Sequence, residues 1–299
     1  MSDPIHEPQS VNAEVFHSLL SCPICLCELS LKQRQLVCLN GHSFDQAKQG
    51  YFNLLPVQQK KSRSPGDSKA MIAARRRFLQ AGLYEPVATQ VFNMVKSGHS
   101  EASQASDKGL VIADAGCGDG YYLNFLSQAL RAEGSAVVPV GWDISKEAIV
   151  AASKLDKHAI WLVASNKQPP ITPERLDVLL CLFGFPCYSA FKAVMRPGAS
   201  LILVDPGPEH LIELRKVIYP TVKKSQVTSS DLAAESGFEL ISTSHLTELL
   251  PAIDKAQIQD LLTMTPHLYK APYEGKQAAQ QLESITLTLD VTIRHYRVI

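Results

Sequence analysis

The sequence predicts an α/β fold, a parallel sheet covered on both faces, with a small metal-held module in front of it. Two observations carry this. Cys22, Cys25, Cys38 and His42 are spaced C-x2-C-x12-C-x3-H. From residue 110 short apolar runs alternate with helical stretches, and the first run ends in a glycine-rich turn, Asp114-Ala-Gly-Cys-Gly-Asp-Gly120.

Composition narrows the setting. The chain has 299 residues, 45% of them hydrophobic, and 29 basic against 29 acidic side chains. Its length points to about two domains. Balanced charge does not advertise a polyanionic partner, so any nucleic-acid surface must be local. No apolar run approaches the roughly 20 residues of a membrane span. The first residues lack a basic-then-apolar signal pattern. Four of the seven cysteines fall within positions 22–38, which fits a reducing compartment with a metal site better than a disulfide framework. The expectation is a cytoplasmic protein with no membrane partner.

The expected divisions are a flexible lead (1–18), a zinc-binding module (19–56), a basic linker with helices (57–108) and a catalytic domain (109–299). Three thiolates and an imidazole suit Zn²⁺. Four protein ligands leave no open coordination position, so the site reads as structural. So short a segment has too few apolar residues to fold alone, and a metal supplies what the core lacks. Leu36–Leu39 reads as one strand of a small hairpin, and Cys27 as a thiol outside the cluster.

Pro65-Gly66 is a turn signal, and Asp67 or Ser68 can cap the helix that follows. Met71, Ala74, Phe78 and Leu79 share a helical face that Gly82 can end. Pro86 opens a second helix carrying Val87, Val91 and Val95. Strands are expected at Leu110–Ala115, Ala136–Trp142, Ile160–Ala164, Val178–Phe183 and Leu201–Val204, with helices at Tyr121–Arg131 and Ser145–Lys154. The tail Ser284–Val298 reads as a long strand, antiparallel at or near the sheet edge.

After a strand, Gly116, Gly118 and Gly120 let the backbone pass close to a ligand. The pattern, led by Asp114, is D-x-G-x-G-x-G and not the dinucleotide fingerprint G-x-G-x-x-G. It is the form used by S-adenosylmethionine-dependent methyltransferases. Asp143 ends the second apolar run, where a carboxylate can accept from both hydroxyls of a ribose. Together these predict a class I (Rossmann-like) S-adenosylmethionine methyltransferase with a small N-terminal zinc-binding module. No acid follows the third strand, where Ala164-Ser165-Asn166 stands. Residues 60–77 carry Lys60, Lys61, Arg63, Lys69, Arg75, Arg76 and Arg77 against Asp67 alone. The run is either a solvated face or a set of RNA phosphate contacts. Phe183, Phe185 and Tyr188 either stack on a substrate base or pack in the core.

The segments CPIC, CLNGHSFDQAKQGYFNLLPVQQKKSRSPGDSKAMIAARRRFLQAGLYEP and DAGCGDGYY resemble the RlmA-type 23S ribosomal RNA guanine-N1-methyltransferases. Pro206-Gly-Pro-Glu-His210 and Met264-Thr-Pro266 extend the match. The resemblance implies zinc on Cys22, Cys25, Cys38 and His42. It implies S-adenosylmethionine contacts from Tyr84, Gly118, Asp119 and His210. It further implies methylation of N1 of a G745-type guanosine in a 23S rRNA hairpin, by a homodimer whose zinc modules flank the RNA. The alternative is a zinc-scaffolded methyltransferase acting on a small molecule.

Overall fold

In the computed structural model, residues 18–59, 62, 65–98, 109–221, 231–265 and 271–299 are described. Strands β1 (Leu29–Lys32), β2 (Gln35–Cys38) and β3 (Ser43–Asp45) form a small antiparallel sheet in that order. Its few buried apolar side chains, Leu29 and Leu36 among them, pack beside Cys22 and Cys38. The chain then makes a two-residue strand, β4 (Phe52–Asn53), and a 3-10 turn at Val57–Gln59.

Two helices follow. Ser68 caps α1 (Lys69–Gln80) by accepting from the Met71 N–H at 3.3 Å, so of the two candidate caps the serine takes the role. The buried positions of α1 are Ile72, Ala74, Phe78 and Leu79; Met71 is only partly buried. Gly82, at φ 78°, closes the turn into α2 (Glu85–Gly98), which buries Val87, Ala88, Val91 and Val95.

Besides β4, the large sheet holds β5 (Leu110–Ala115), β6 (Val137–Asp143), β7 (Ile160–Val163), β8 (Leu176–Leu182), β9 (Met195–Pro206), β10 (Phe238–Leu249) and β13 (Thr288–Val298). Between its last two strands lies an inserted pair, β11 (Ile253–Asp254) and β12 (Ser284–Ile285). Helices α3 (Tyr121–Ala132), α4 (Lys146–Leu155), α5 (Tyr188–Val194), α6 (Ile212–Ile218), α7 (Asp231–Glu235), α8 (Lys255–Met264) and α9 (Tyr273–Gln281) complete the described elements.

The eight-stranded order is β10-β13-β9-β8-β5-β6-β7-β4. Strands β4 through β9 pair in parallel, and β13 runs antiparallel between β9 and β10. The tail strand therefore lies one place in from the edge. From β5 the chain winds outward to β7, then returns to β8 on the other side. That reversal opens a crevice at the carboxyl ends of β5 and β8, where doubly wound sheets bind ligands.

Both faces of the sheet are covered, as alternation requires. Val111, Ala113 and Ala115 of β5 face one cluster, with Trp142, Phe191 and the apolar side chains of the small sheet; Ile112 faces the other, with α1 to α3 and α8. The small sheet is tied on by Ser21 N–H to Pro170 O at 3.1 Å, Thr172 N–H to Leu19 O at 2.8 Å, and Gln168 Nε2 to Pro23 O at 3.1 Å. Phe52 and Asn53 pair with Leu162 and Val163 of β7 and extend the large sheet.

Packing is tight where β6 meets Trp161. A Cβ at Gly141 would stand 2.2 Å from the Trp161 ring, and that indole is fixed by Nε1 donating to Asp156 O at 2.8 Å. Gly141→Ala is expected to lower stability by about 1–3 kcal/mol through overpacking. Chemical denaturation checks this, and an unchanged midpoint contradicts it.

Candidate functional site

The first half of the site is built from two tight loops. Cys22 N–H donates to Cys27 O at 2.8 Å and Leu26 N–H returns to Cys22 O at 2.9 Å. Cys38 N–H donates to His42 O, and Gly41, at φ 81°, turns the chain between them. The loops bring Cys22, Cys25, Cys38 and His42 together, their ligand atoms all within 4.8 Å of one another. Sγ of Cys22 and Cys38 lie 3.6 and 3.4 Å from His42 Nδ1, and the Sγ atoms of Cys25 and Cys38 are 3.6 Å apart. Zinc bonds of about 2.3 Å to sulfur and 2.0–2.1 Å to nitrogen give tetrahedral edges of about this length, so the donor set fits Zn²⁺. Cys27 stands outside the cluster and accepts from Asn40 Nδ2 at 3.5 Å.

The second half is the crevice. Gly116 and Cys117 donate their N–H groups to Trp142 O at 2.8 and 3.0 Å, which fastens the glycine-rich turn to β6. Asp143, at the end of β6, accepts from Gly118 N–H at 3.0 Å and from Ser145 N–H at 2.7 Å. The three glycines do different work. A Cβ at Gly120 would press into Trp161 at 2.6 Å; one at Gly118 would meet Arg75 Nη1 at 3.1 Å; one at Gly116 would meet nothing nearer than Asn166 at 4.0 Å. Gly116 thus leaves open space, whereas Gly118 and Gly120 allow close packing.

Three carboxylates crowd the turn. Burial pushes up Asp119 and Asp143; Arg75 and Arg76 oppose this at Asp119, and the two backbone donors oppose it at Asp143. Asp114 is pushed up to about 8, by burial first and by the neighbouring charges of Asp143 and Asp119. The folded protein therefore holds a proton on Asp114 that the unfolded chain releases above its ordinary value of 3.8. This contribution to stability is complete below about 4 and is lost as pH rises to about 8. Asp114→Asn is expected to flatten that decline and to raise Tm at pH 8 by about 2–4 °C. Parallel wild-type and variant melting curves from pH 5 to 8 would contradict the assignment.

An aromatic wall faces the turn. Tyr84 is buried, with its ring 5.9 Å from Phe183 and 6.0 Å from His210; Tyr122 lies 6.3 Å from Phe183. Phe183 sits at φ 54° at the end of β8, a conformation costly for an aromatic residue and typical of functional loops. Asp290 N–H donates to His210 Nδ1 at 3.3 Å, so Nε2 carries the imidazole proton and donates to the Tyr84 hydroxyl at 3.2 Å. Phe185 is 89% exposed, while Tyr188 packs in the core against Phe238. Asp205 is paired with Arg294 at 2.7 Å. Asn166, in the segment after β7 that carries no acid, accepts from Trp142 Nε1 at 2.8 Å.

Residues 20–63 match the N-terminal zinc-ribbon family of RlmA. A Bacillus subtilis (strain 168) protein named "Putative 23S rRNA (guanine-N(1)-)-methyltransferase YxjB" is 30% identical over 284 residues, 92% of this chain and 96% of that one. The chain belongs to this family. The "23S rRNA (guanine(748)-N(1))-methyltransferase" of Streptomyces fradiae is 31% identical over 197 residues, 65% of this chain and 66% of its own. Among solved structures, a SAM dependent methyltransferase from Aquifex aeolicus is 14% identical, spanning 64% of this chain and 83% of that one with a TM-score of 0.37.

As a member of the RlmA-type methyltransferases the chain is an enzyme, and the metal of its N-terminal ribbon is zinc. The basic segment divides. Lys60, Lys61 and Arg63 lie outside the described residues. Arg77 makes a two-pronged contact with Asp260 of α8, Nε to Oδ2 at 2.9 Å. Arg76 is partly buried and within electrostatic reach of Asp119. Arg75 lies on the turn itself, paired with Asp67 at 2.6 Å. Sequence reasoning missed Tyr122, Asp67 and the inward position of Arg75. Helical spacing held the signal for the last, since Arg75 is three residues from both Ile72 and Phe78 on the buried face of α1.

Proposed function

We propose that the chain transfers a methyl group from S-adenosylmethionine to N1 of a G745-type guanosine in a hairpin of 23S rRNA. The observation that carries this reading is Asp143 hydrogen-bonded to the glycine-rich turn at the switch point of the sheet, facing an aromatic wall, in a chain that also carries the family's zinc ribbon. The cofactor residues are Tyr84, Asp114, Gly116, Gly118, Asp119, Gly120, Asp143 and His210. Asp143 retains lone pairs for the ribose hydroxyls after accepting two backbone N–H groups. When bound, S-adenosylmethionine supplies a methyl on a sulfonium, already a good electrophile, so the protein's task is alignment.

Guanine N1 carries a proton and lies on the pairing edge, so the base must be unpaired or flipped to reach the crevice. Phe183 and Tyr122 offer faces for it. His210 donates from Nε2 to Tyr84 and accepts at Nδ1, which makes it a positioning group for the Tyr84 hydroxyl and not the base for the N1 proton. Asp205 is tied to Arg294 and is no better placed. In this reading the ribbon (19–56) and the basic linker (57–108) recognise RNA, with phosphate contacts from Lys60, Lys61, Arg63 and Arg76. The enzyme works in the cytoplasm as a homodimer of 32.8 kDa chains.

The test is incubation with methyl-labelled S-adenosylmethionine and 23S rRNA, followed by digestion to nucleosides. Label in 1-methylguanosine is expected, at one position when the RNA is mapped by primer extension. Label in a small-molecule fraction, with none in RNA, would overturn the reading in favour of the small-molecule enzyme.

A further inference from the structure

The strongest unassigned feature is Arg75. It projects from the buried face of α1, with a quarter of its side chain exposed, and its Nη1 stands 3.1 Å from where a Cβ of residue 118 would be. Nη2 reaches Asp67 at 2.6 Å and Met264 O at 3.4 Å. Asp67 is itself held at the crevice, because Ser145 Oγ donates to its backbone carbonyl at 2.7 Å and Gly66 packs on Ser145 with no room for a Cβ. The guanidinium thus rests on the ligand-facing turn, held by the Asp67 side chain and by the carbonyl of Met264 far along the chain.

Its charge environment gives it a use. The turn carries the carboxyl groups of Asp119 and Asp143, with Asp67 beside them. A donor with an amino-acid tail brings a carboxylate into this acidic surround, and that group is repelled unless a cation receives it. Arg75 is placed to do so, and a planar guanidinium matches a carboxylate in geometry. The structural alternative, a simple ion pair with Asp67, gives no reason for the guanidinium to rest against the glycine-rich turn. An RNA phosphate is a poor fit to a side chain on the inner face of α1.

We infer that Arg75 binds the carboxylate of the methyl donor's methionine moiety, with Asp67 as its counter-ion in the unliganded protein. This rests on the proposed cofactor reading. Gly118 is then glycine for two reasons, the positive φ of 57° and the space Arg75 needs.

The experiment is calorimetry on the zinc-loaded full chain with S-adenosylhomocysteine and with 5′-methylthioadenosine, which keeps the nucleoside and lacks the amino-acid tail. Arg75→Ala is expected to weaken S-adenosylhomocysteine by about 10–100-fold, the loss of a charge-assisted contact, while methylthioadenosine stays within about threefold. Asp67→Asn, which frees the guanidinium without removing it, is expected to hold or tighten S-adenosylhomocysteine and leave methylthioadenosine unchanged. Equal loss of both ligands in Arg75→Ala, or no loss of either, overturns the inference. So does weakened S-adenosylhomocysteine binding in Asp67→Asn, the deciding result where Arg75→Ala does not fold. Wild-type protein that binds neither ligand would sink the cofactor reading itself, a distinguishable failure.

Discussion

Cys38→Ser is expected to release zinc, unfold the ribbon and abolish rRNA methylation while leaving cofactor affinity within about threefold of wild type. Cys38 is central to the cluster, touching both His42 and Cys25. The sheet β1–β3 has 4, 4 and 3 residues and buries little besides Leu29, Leu36 and the ligand Cys38. Structural zinc contributes about 10–16 kcal/mol in isolated fingers, more than so small a core can replace. The crevice draws on other contacts: its turn is fastened to Trp142 and Asp143, and its aromatic wall comes from Tyr84 just before α2, Tyr122 of α3 and Phe183 just after β8. Chelation should therefore produce a separate low-temperature transition, with the catalytic sheet melting later. Calorimetry on zinc-loaded and chelated protein reads this directly. Full rRNA methylation by zinc-free protein would show that the ribbon is dispensable to recognition.

How far the sequence revealed this architecture depends on where the physical signal lay. The parallel strands were legible because each is buried on both faces: Leu110–Ala115 and Val137–Asp143 are continuous apolar runs with turns at their ends. The cluster was legible because ligand spacing is a geometric constraint written locally. β10 was not, because only Phe238 is buried along Phe238–Leu249 and the edge strand carries no apolar face to read. Nor was the insertion of α8 and α9, since α8 is placed by packing against α1 and α9 by packing against α6 and α8, contacts made from far along the chain. Arg77 is an example: its partner Asp260 is 183 residues away, and no local pattern announces that pairing. The three consecutive arginines look alike in sequence. In the fold one sits on the glycine-rich turn, one is partly buried within reach of Asp119, and one is engaged with α8.

Asp143→Ala is expected to weaken S-adenosylmethionine binding by about 10²–10⁴-fold, with RNA affinity almost unchanged. The magnitude follows from two hydrogen bonds to a charged acceptor, each worth about 1.5–3 kcal/mol. The same carboxylate also holds Gly118 and Ser145 through their N–H groups, so part of the loss comes from a turn that no longer keeps its shape. Asp143→Asn separates the two contributions. It preserves volume and one acceptor oxygen but turns an amide N–H₂ toward a backbone donor, and should fall between wild type and alanine. Burial raises the Asp143 pKa, and its carboxylate accepts best when ionised, so cofactor affinity in the wild type should decline as pH falls, a decline that Asp143→Ala removes. RNA affinity, measured by salt-dependent filter binding, should show the same slope in all three proteins because no phosphate contact is altered. Equal loss of cofactor and RNA binding in Asp143→Ala would mean that the residue holds the domain together, and the division between a cofactor crevice and an RNA surface would have to be abandoned.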